Sequence, residues 1–325
     1  MYKPVVRIRK QPLPGGLGWC KTAWTNVSTA ALYSRTPFSP HILERLRMAQ
    51  VVLFGLGSGG SKLALNLTQA GVGRFRLVDP ARVQLHNCTR HVASLRDVGR
   101  RKVDAVSDVM LLHNPTVEVE LYPWDVFDPE SPVKPEAVLL EADLAIAATD
   151  RTAVQLAINT WTWRLGVPAI FGGCYDGARG GEVLFTLPGE GTPCLSCLRG
   201  GMEGPERQGP FDYSAAQRAE DFQGEPGLSA AVDLITDVET QIALGVLLRD
   251  TDSPLGVTPQ YNFLLIGGAL ATNYYRFKRP FHIFWQPLNG PRYDCHVCQP
   301  VRLYDELPAS VAQEVPPEFQ VLIER

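Results

Sequence analysis

The chain lacks a long apolar run: nowhere in its 325 residues do about 18 apolar positions follow one another, which excludes a plain membrane-spanning helix. It also lacks a surplus of either charge. With 31 basic and 34 acidic residues the formal net charge is −3, so no overall field draws the chain to nucleic acid or to an anionic membrane, and neither is expected as a partner. Repeats and low-complexity blocks are missing, which leaves an ordinary globular protein. The start, "MYKPVVRIRKQPLPGG", is basic but holds no apolar stretch of signal-peptide length, so a cytoplasmic location is expected. What is present is 45% hydrophobic residues in a chain long enough for a large core.

Cysteine is sparse, seven residues in all, yet four of them form two close pairs, Cys194 with Cys197 and Cys295 with Cys298. Two C-x-x-C pairs in a reducing compartment predict thiolate ligands for one tetrahedral zinc rather than disulfides. The long separation of the pairs predicts a structural site that pins two distant parts of one fold. Cys20, Cys88 and Cys174 are left over as free thiols.

Strand-like and helix-like segments alternate from about residue 37 onward. Ser39 and Pro40 open a helix over "SPHILERLRMA"; a continuous apolar strand at 51–54 leads into a glycine turn; a helix from about 59 runs to Gly71. "RFRLVD" is a strand closing on Asp79, "RKVDAVSDVMLLH" a helix stopped at Asn114-Pro115, and "VEVELY" a strand. "DLAIAATD" is a strand closing on Asp150, followed by a helix over "TAVQLAINTWTWRLG". The pattern predicts an α/β fold: a Rossmann-like, mostly parallel sheet with helices on both faces, continued by antiparallel strands in "VPAIFGG", "GGEVLFTL", "YNFLLIGG" and "FHIFWQPL". Residues 1–36 form an N-terminal extension with one alternating piece, "VVRIR", suited to an edge strand. Residues 37–190 make a nucleotide-binding half, and 191–300 a zinc-pinned half with a long crossover and a helix, "LSAAVDLITDVETQIALGVLL", fit for a core or a dimer seam. The remainder, 301–325, is a tail, and 37–300 is expected to be one compact domain.

"GLGSGG" offers Gly55, Gly57, Gly59 and Gly60 between a strand and a helix, where backbone N–H groups and the helix dipole receive phosphate. Asp79, closing the next strand, suits ribose hydroxyls. This much fits NAD, FAD or ATP alike. "DPARVQLHNCTRHVASLRDVGRRK" then places Asn87, Arg90 and Lys102 beyond the ribose aspartate, with His86 beside them. Redox chemistry has little use for these cations, whereas cutting a triphosphate needs charge neutralised on its β- and γ-phosphates. Asp150 stands where a magnesium ligand would sit, with Arg151 next to it.

The order of the glycine loop, "VD…V…N..R", "DVG..K", "ATD" and two C-x-x-C pairs resembles the ThiF/MoeB-type adenylyltransferases, of the superfamily that includes ubiquitin-activating enzymes. The resemblance runs from about Tyr33 to Cys298. It implies an enzyme that adenylates the C-terminal glycine carboxylate of a ubiquitin-like or sulfur-carrier protein, using ATP and Mg²⁺, with structural Zn²⁺ on the four paired cysteines. It further implies ribose binding by Asp79, phosphate contacts by Asn87, Arg90 and Lys102, and magnesium on Asp150. "LYSR" resembles the family's N-terminal arginine motif, which implies that Arg35 reaches the γ-phosphate in a partner subunit of a homodimer. Alternatives are a non-catalytic nucleotide-binding subunit of a conjugation complex, adenylation of a peptide or tRNA-base carboxylate, and an NAD or FAD oxidoreductase. Ala81 and His91 depart from the family pattern. No cysteine falls in 199–227, which argues against a thioester step there.

Overall fold

Gln50–Phe54 is a strand because its apolar residues have two buried faces to fill: Val51 and Leu53 point into one core layer, Val52 and Phe54 into another, all at most 2% exposed. The computed structural model of the chain describes residues 6–16, 18–24, 27–125, 128, 131, 133–175, 177–199, 227–269 and 277–299. Among these, ten strands form one sheet: β1 Arg7–Pro12, β2 Trp19–Trp24, β3 Gln50–Phe54, β4 Arg74–Val78, β5 Glu118–Tyr122, β6 Leu144–Ala147, β7 Ala169–Tyr175, β8 Gly180–Thr186, β9 Phe263–Gly267 and β10 His282–Trp285. Their spatial order is β1-β2-β5-β4-β3-β6-β7-β8-β9-β10.

The five strands β5, β4, β3, β6 and β7 pair in parallel, and antiparallel strands extend this core at both edges. The expected edge strand near "VVRIR" is β1, but it reaches the core through β2, a strand that no sequence signal marks. There Lys21 is 5% exposed, against the usual fate of lysine in an outer strand.

Among the described residues eight α-helices accompany the sheet: α1 Thr29–Leu32, α2 Pro40–Met48, α3 Ser58–Ala70, α4 Lys102–His113, α5 Pro135–Leu139, α6 Thr152–Leu165, α7 Leu195–Arg199 and α8 Ser229–Leu247. Their starts and stops follow local chemistry. The Ser39 hydroxyl accepts from the Ile42 N–H at the head of α2, and Gly71 and Gly166 close α3 and α6 in the left-handed conformation. Helices α2, α3, α4 and α8 share one apolar layer with the sheet, and α5, α6 and α7 share the other. The apolar helix over 229–247 is thereby a core helix, lodged between α3 and strands β6 to β8.

The helix at 102–113 and the strand ends carrying Asp79 and Asp150 fall where the sequence puts them, although β6 stops at Ala147 and leaves Asp150 in the turn beyond. Most of the crossover, 200–226, and the tail, 301–325, lie outside the described residues, as do residues 1–5. No helix among the described residues is long and apolar enough to cross a membrane.

Candidate active site

In a parallel sheet the open crevice lies beyond the carboxyl ends of the strands, and here the turns after β3, β4 and β6 meet. Gly55 has φ of +91°, and a Cβ there would stand 2.6 Å from the Ala148 carbonyl oxygen beyond β6. A Cβ on Gly60 would come within 2.0 Å of the Gly55 carbonyl oxygen. These two glycines let the turns after β3 and β6 touch. Gly57, the N-cap of α3, faces open space and has no side-chain cap. The first N–H groups of a 13-residue helix are thus left for an anion. Gly59 packs on α8, its Cβ position 3.3 Å from Thr236.

Asp79, 6% exposed, is held by two backbone donors: Leu56 N–H at 2.6 Å and Ala81 N–H at 2.7 Å. Each carboxylate oxygen keeps a further lone pair for a hydroxyl. Lys102, the first residue of α4, brings its Nζ to 4.0 Å from Asp79 Oδ2. Its backbone N–H donates to the Ala81 carbonyl at 2.9 Å, which sets the start of α4 against the turn after β4.

Asn87 and Arg90 lie on and just after a short 3₁₀ turn, Leu85–Thr89. Asn87 Oδ1 accepts from the Gln84 N–H at 2.8 Å and locks that turn. His86 on the same turn is held below its ordinary pKa, first by burial and then by the cations Arg90 and Lys102, so these three groups converge. Arg90 also reaches the segment just ahead of α8: its guanidinium lies 3.3 Å from the Cβ position of Gly227.

His91 has a role that the sequence marked merely as a departure. Its Nε2 donates to the Leu56 carbonyl at 2.8 Å, and its Nδ1 accepts from the Ala93 N–H at 2.9 Å. Burial pushes its pKa down, which keeps the ring neutral, as this bonding requires. Leu56 is therefore gripped from both sides, by Asp79 and by His91, and the glycine turn is fixed to the cationic loop. Lys62 carries no sequence signal of a role at the site. From the second turn of α3 it donates to Ser229 Oγ at 2.8 Å and pairs with Asp233, tying the glycine helix to the start of α8.

Asp150 is exposed in the turn after β6. Gln155 of α6 steadies that turn by donating to the Thr149 carbonyl at 2.8 Å. Arg151, the N-cap of α6, pairs with Asp125 beyond β5 at 3.3 Å, so this ion pair spans the ends of β3 and β4. Arg35 stands apart. It is exposed, and its neighbours Ser34 and Thr36 line a hollow with Gly71 and Asn114 at the tail ends of α3 and α4.

Beneath the crevice Glu239 of α8 faces β7, its Oε2 2.6 Å from where a Cβ on Gly172 would stand. Its Oε1 has no hydrogen-bond partner among the described residues, and burial raises its pKa to about 8. The carboxyl is neutral at and below pH 7.

Away from the crevice the four paired cysteines come together. Sγ atoms of Cys194, Cys197, Cys295 and Cys298 all lie within 4.8 Å of one another, with contacts of 3.5 Å from Cys194 to Cys295 and 3.3 Å from Cys197 to Cys298. Zinc bonded to four thiolates at about 2.3 Å requires sulfurs about 3.8 Å apart, so the donor set fits that ion. Neighbouring S–H groups donate to Cys197 and hold its pKa down, while the hydrogen bond it shares with Cys197 pushes Cys194 up to about 12. The backbone N–H of Arg292 also donates to Cys197, at 3.3 Å.

A family model described as the ThiF family matches residues 31–265. A sulfur carrier protein adenylyltransferase of Thermus thermophilus is 34% identical over 163 residues, 49% of this chain and 58% of that protein. A ubiquitin-like modifier-activating enzyme 5 of Gallus gallus is 28% identical over 162 residues, 47% of this chain and 41% of that one. The matched stretch thus spans about half the length of these curated relatives. Among solved structures, E. coli MccB with MccA-N7isoASN superposes with a TM-score of 0.59 at 19% identity, covering 79% of this chain and 69% of MccB. PaaA superposes at 0.58 and 19% identity, covering 80% of this chain and 74% of PaaA. At such identities the likeness is one of fold.

Proposed function

The chain belongs to the ThiF family, and from that premise we propose that it is an ATP-dependent adenylyltransferase acting on the C-terminal glycine carboxylate of a ubiquitin-like or sulfur-carrier protein. The observation that carries the reading is the gathering of a buried ribose-type aspartate, Asp79, with Lys102 at 4.0 Å, next to an uncapped helix N-terminus and the Asn87–Arg90 turn. A dinucleotide needs the aspartate and the helix end. It does not need an ammonium and a guanidinium above them.

In this reading the ribose hydroxyls bind Asp79 and the α-phosphate rests over Gly57. Asn87, Arg90 and Lys102 take up charge on the β- and γ-phosphates as pyrophosphate departs. The acceptor carboxylate is already ionised at neutral pH, so no general base is required, and alignment supplies much of the rate. Asp150, exposed beyond β6, would hold Mg²⁺ with phosphate oxygens and water completing its shell. Cys194, Cys197, Cys295 and Cys298 would hold zinc in a closed structural site. Arg35 is read as serving the crevice of a partner subunit, which would make the active species a homodimer.

The test is to incubate the protein with ATP, Mg²⁺ and small proteins ending in Gly-Gly, then to weigh the acceptor intact. Gain of one adenylyl group supports the reading. Adenylation of a short peptide but not of a folded carrier moves the substrate to peptides, and no transfer to any carboxylate removes the enzyme reading in favour of a nucleotide-binding subunit.

A further inference from the structure

The hairpin β1–β2 lies outside the stretch that matches the family model, residues 31–265, yet it grips the helix that delivers Lys102. Lys21 of β2 spends its whole ammonium on α4. Its Nζ lies 2.9 Å from Asp108 Oδ1, 3.2 Å from Ser107 Oγ and 3.3 Å from the Asp104 carbonyl oxygen, and it is ion-paired with Asp104 Oδ1 at 3.2 Å. An ammonium has three protons to donate, and here the side chain is 6% exposed, so no water competes for them. Lys10 of β1 adds a second bond to Asp104 at 2.8 Å.

Trp19 of β2 completes the grip. Lys10 Nζ lies 4.6 Å from the centre of its ring and the Arg101 guanidinium 5.5 Å from it. Arg101 is the N-cap of α4 and immediately precedes Lys102. The hairpin therefore holds the N-cap of α4 and positions 104, 107 and 108 in its first two turns. On the crevice side the same first turn is fixed by the Lys102 N–H to Ala81 bond.

We propose that Lys21 is a positioning residue for the phosphate contact of Lys102, so that the N-terminal hairpin is a working part of the nucleotide site. The inference rests on the reading above in which Lys102 meets the triphosphate. Shifts of about 1 Å in a charged contact suffice to change rates and affinities severalfold to a hundredfold.

Affinities for ATP and for adenosine, measured by calorimetry on the full chain without acceptor, test it across Lys21→Met, Lys102→Ala and the double variant. Lys21→Met is expected to weaken ATP about tenfold, to leave adenosine unchanged, and to add nothing in the Lys102→Ala background, although it lowers the melting temperature equally in both. Equal weakening in both backgrounds, equal loss for adenosine, or no loss at all overturns the proposal. If Lys102→Ala itself binds ATP normally, the phosphate reading of Lys102 has failed and the inference falls with it. Should Lys21→Met not fold, Lys10→Met at the more exposed arm keeps the same pattern at smaller amplitude, and unchanged ATP affinity there is the contrary result.

Discussion

At one edge of the parallel core the hairpin β1–β2 is fastened by a buried ammonium among carboxylates; at the other, strands β8 to β10 are followed by a cluster of four sulfurs joining α7 to residues 295–298. The first fastener is made of charges that must compensate each other at every moment. The second is a set of four sulfur donors whose arrangement fits a single tetrahedral cation. An ion network tolerates the loss of one arm because others remain, whereas a tetrahedral site loses its geometry with any ligand. The edge near the crevice is therefore adjustable and the far edge is all-or-none.

The sharpest break of this contrast is at the sulfurs. Cys295→Ser is expected to abolish stoichiometric zinc, measured by elemental analysis, and to lower the melting temperature by roughly 10 °C or more. Full zinc content in that variant would contradict a four-thiolate site. Lys21→Met should cost about 3 kcal/mol in denaturant unfolding, since Asp104 and Asp108 lose a buried partner while keeping Lys10 and Arg100. A cost as large as that of Cys295→Ser would erase the distinction between the edges.

The Asp104 carboxyl sharpens the same point through pH. Burial works to raise it, but Lys10 and Lys21 more than offset this and hold it below its ordinary value. The stability it contributes is present above the ordinary carboxylate range and is lost as pH falls through its folded value, so the hairpin edge should loosen in acid. Glu239 behaves in the opposite sense. Its pKa of about 8 against an ordinary 4.5 means that the folded chain holds the proton more tightly. Stability is full below the ordinary value and falls as pH rises, by about 2 kcal/mol between pH 5 and pH 7. Glu239→Gln should flatten that slope in denaturant titrations at the two pH values; an unchanged slope would mean that the carboxyl has a partner. The smallest effect is expected from Lys10→Met, about 0.5 kcal/mol, as its ammonium is partly solvated.

The core was legible because each of its elements obeys one local rule. Apolar runs made β3 and β6, glycine ended α3 and α6, and two C-x-x-C pairs found each other. Asp79 and Lys102 were legible as chemistry, since no packing argument explains an aspartate and a lysine at those boundaries. Lys21 was not, because a lysine in a strand reads as solvent-facing, and its three acceptors lie some eighty positions away in α4. Lys62 and Glu239 were hidden for the same reason: a helix face shows its period in sequence, not its partner. His91 was visible as an oddity, and the carbonyl it holds became apparent with the fold.

Exchange of labelled pyrophosphate into ATP, in the presence of a carrier protein ending in Gly-Gly, bears most directly on the central claim. The account predicts acceptor-dependent exchange in the unaltered protein and its loss by a hundredfold or more in Arg90→Ala and in Asp150→Ala, both of which should retain zinc and fold. Exchange that persists undiminished in those variants would contradict it.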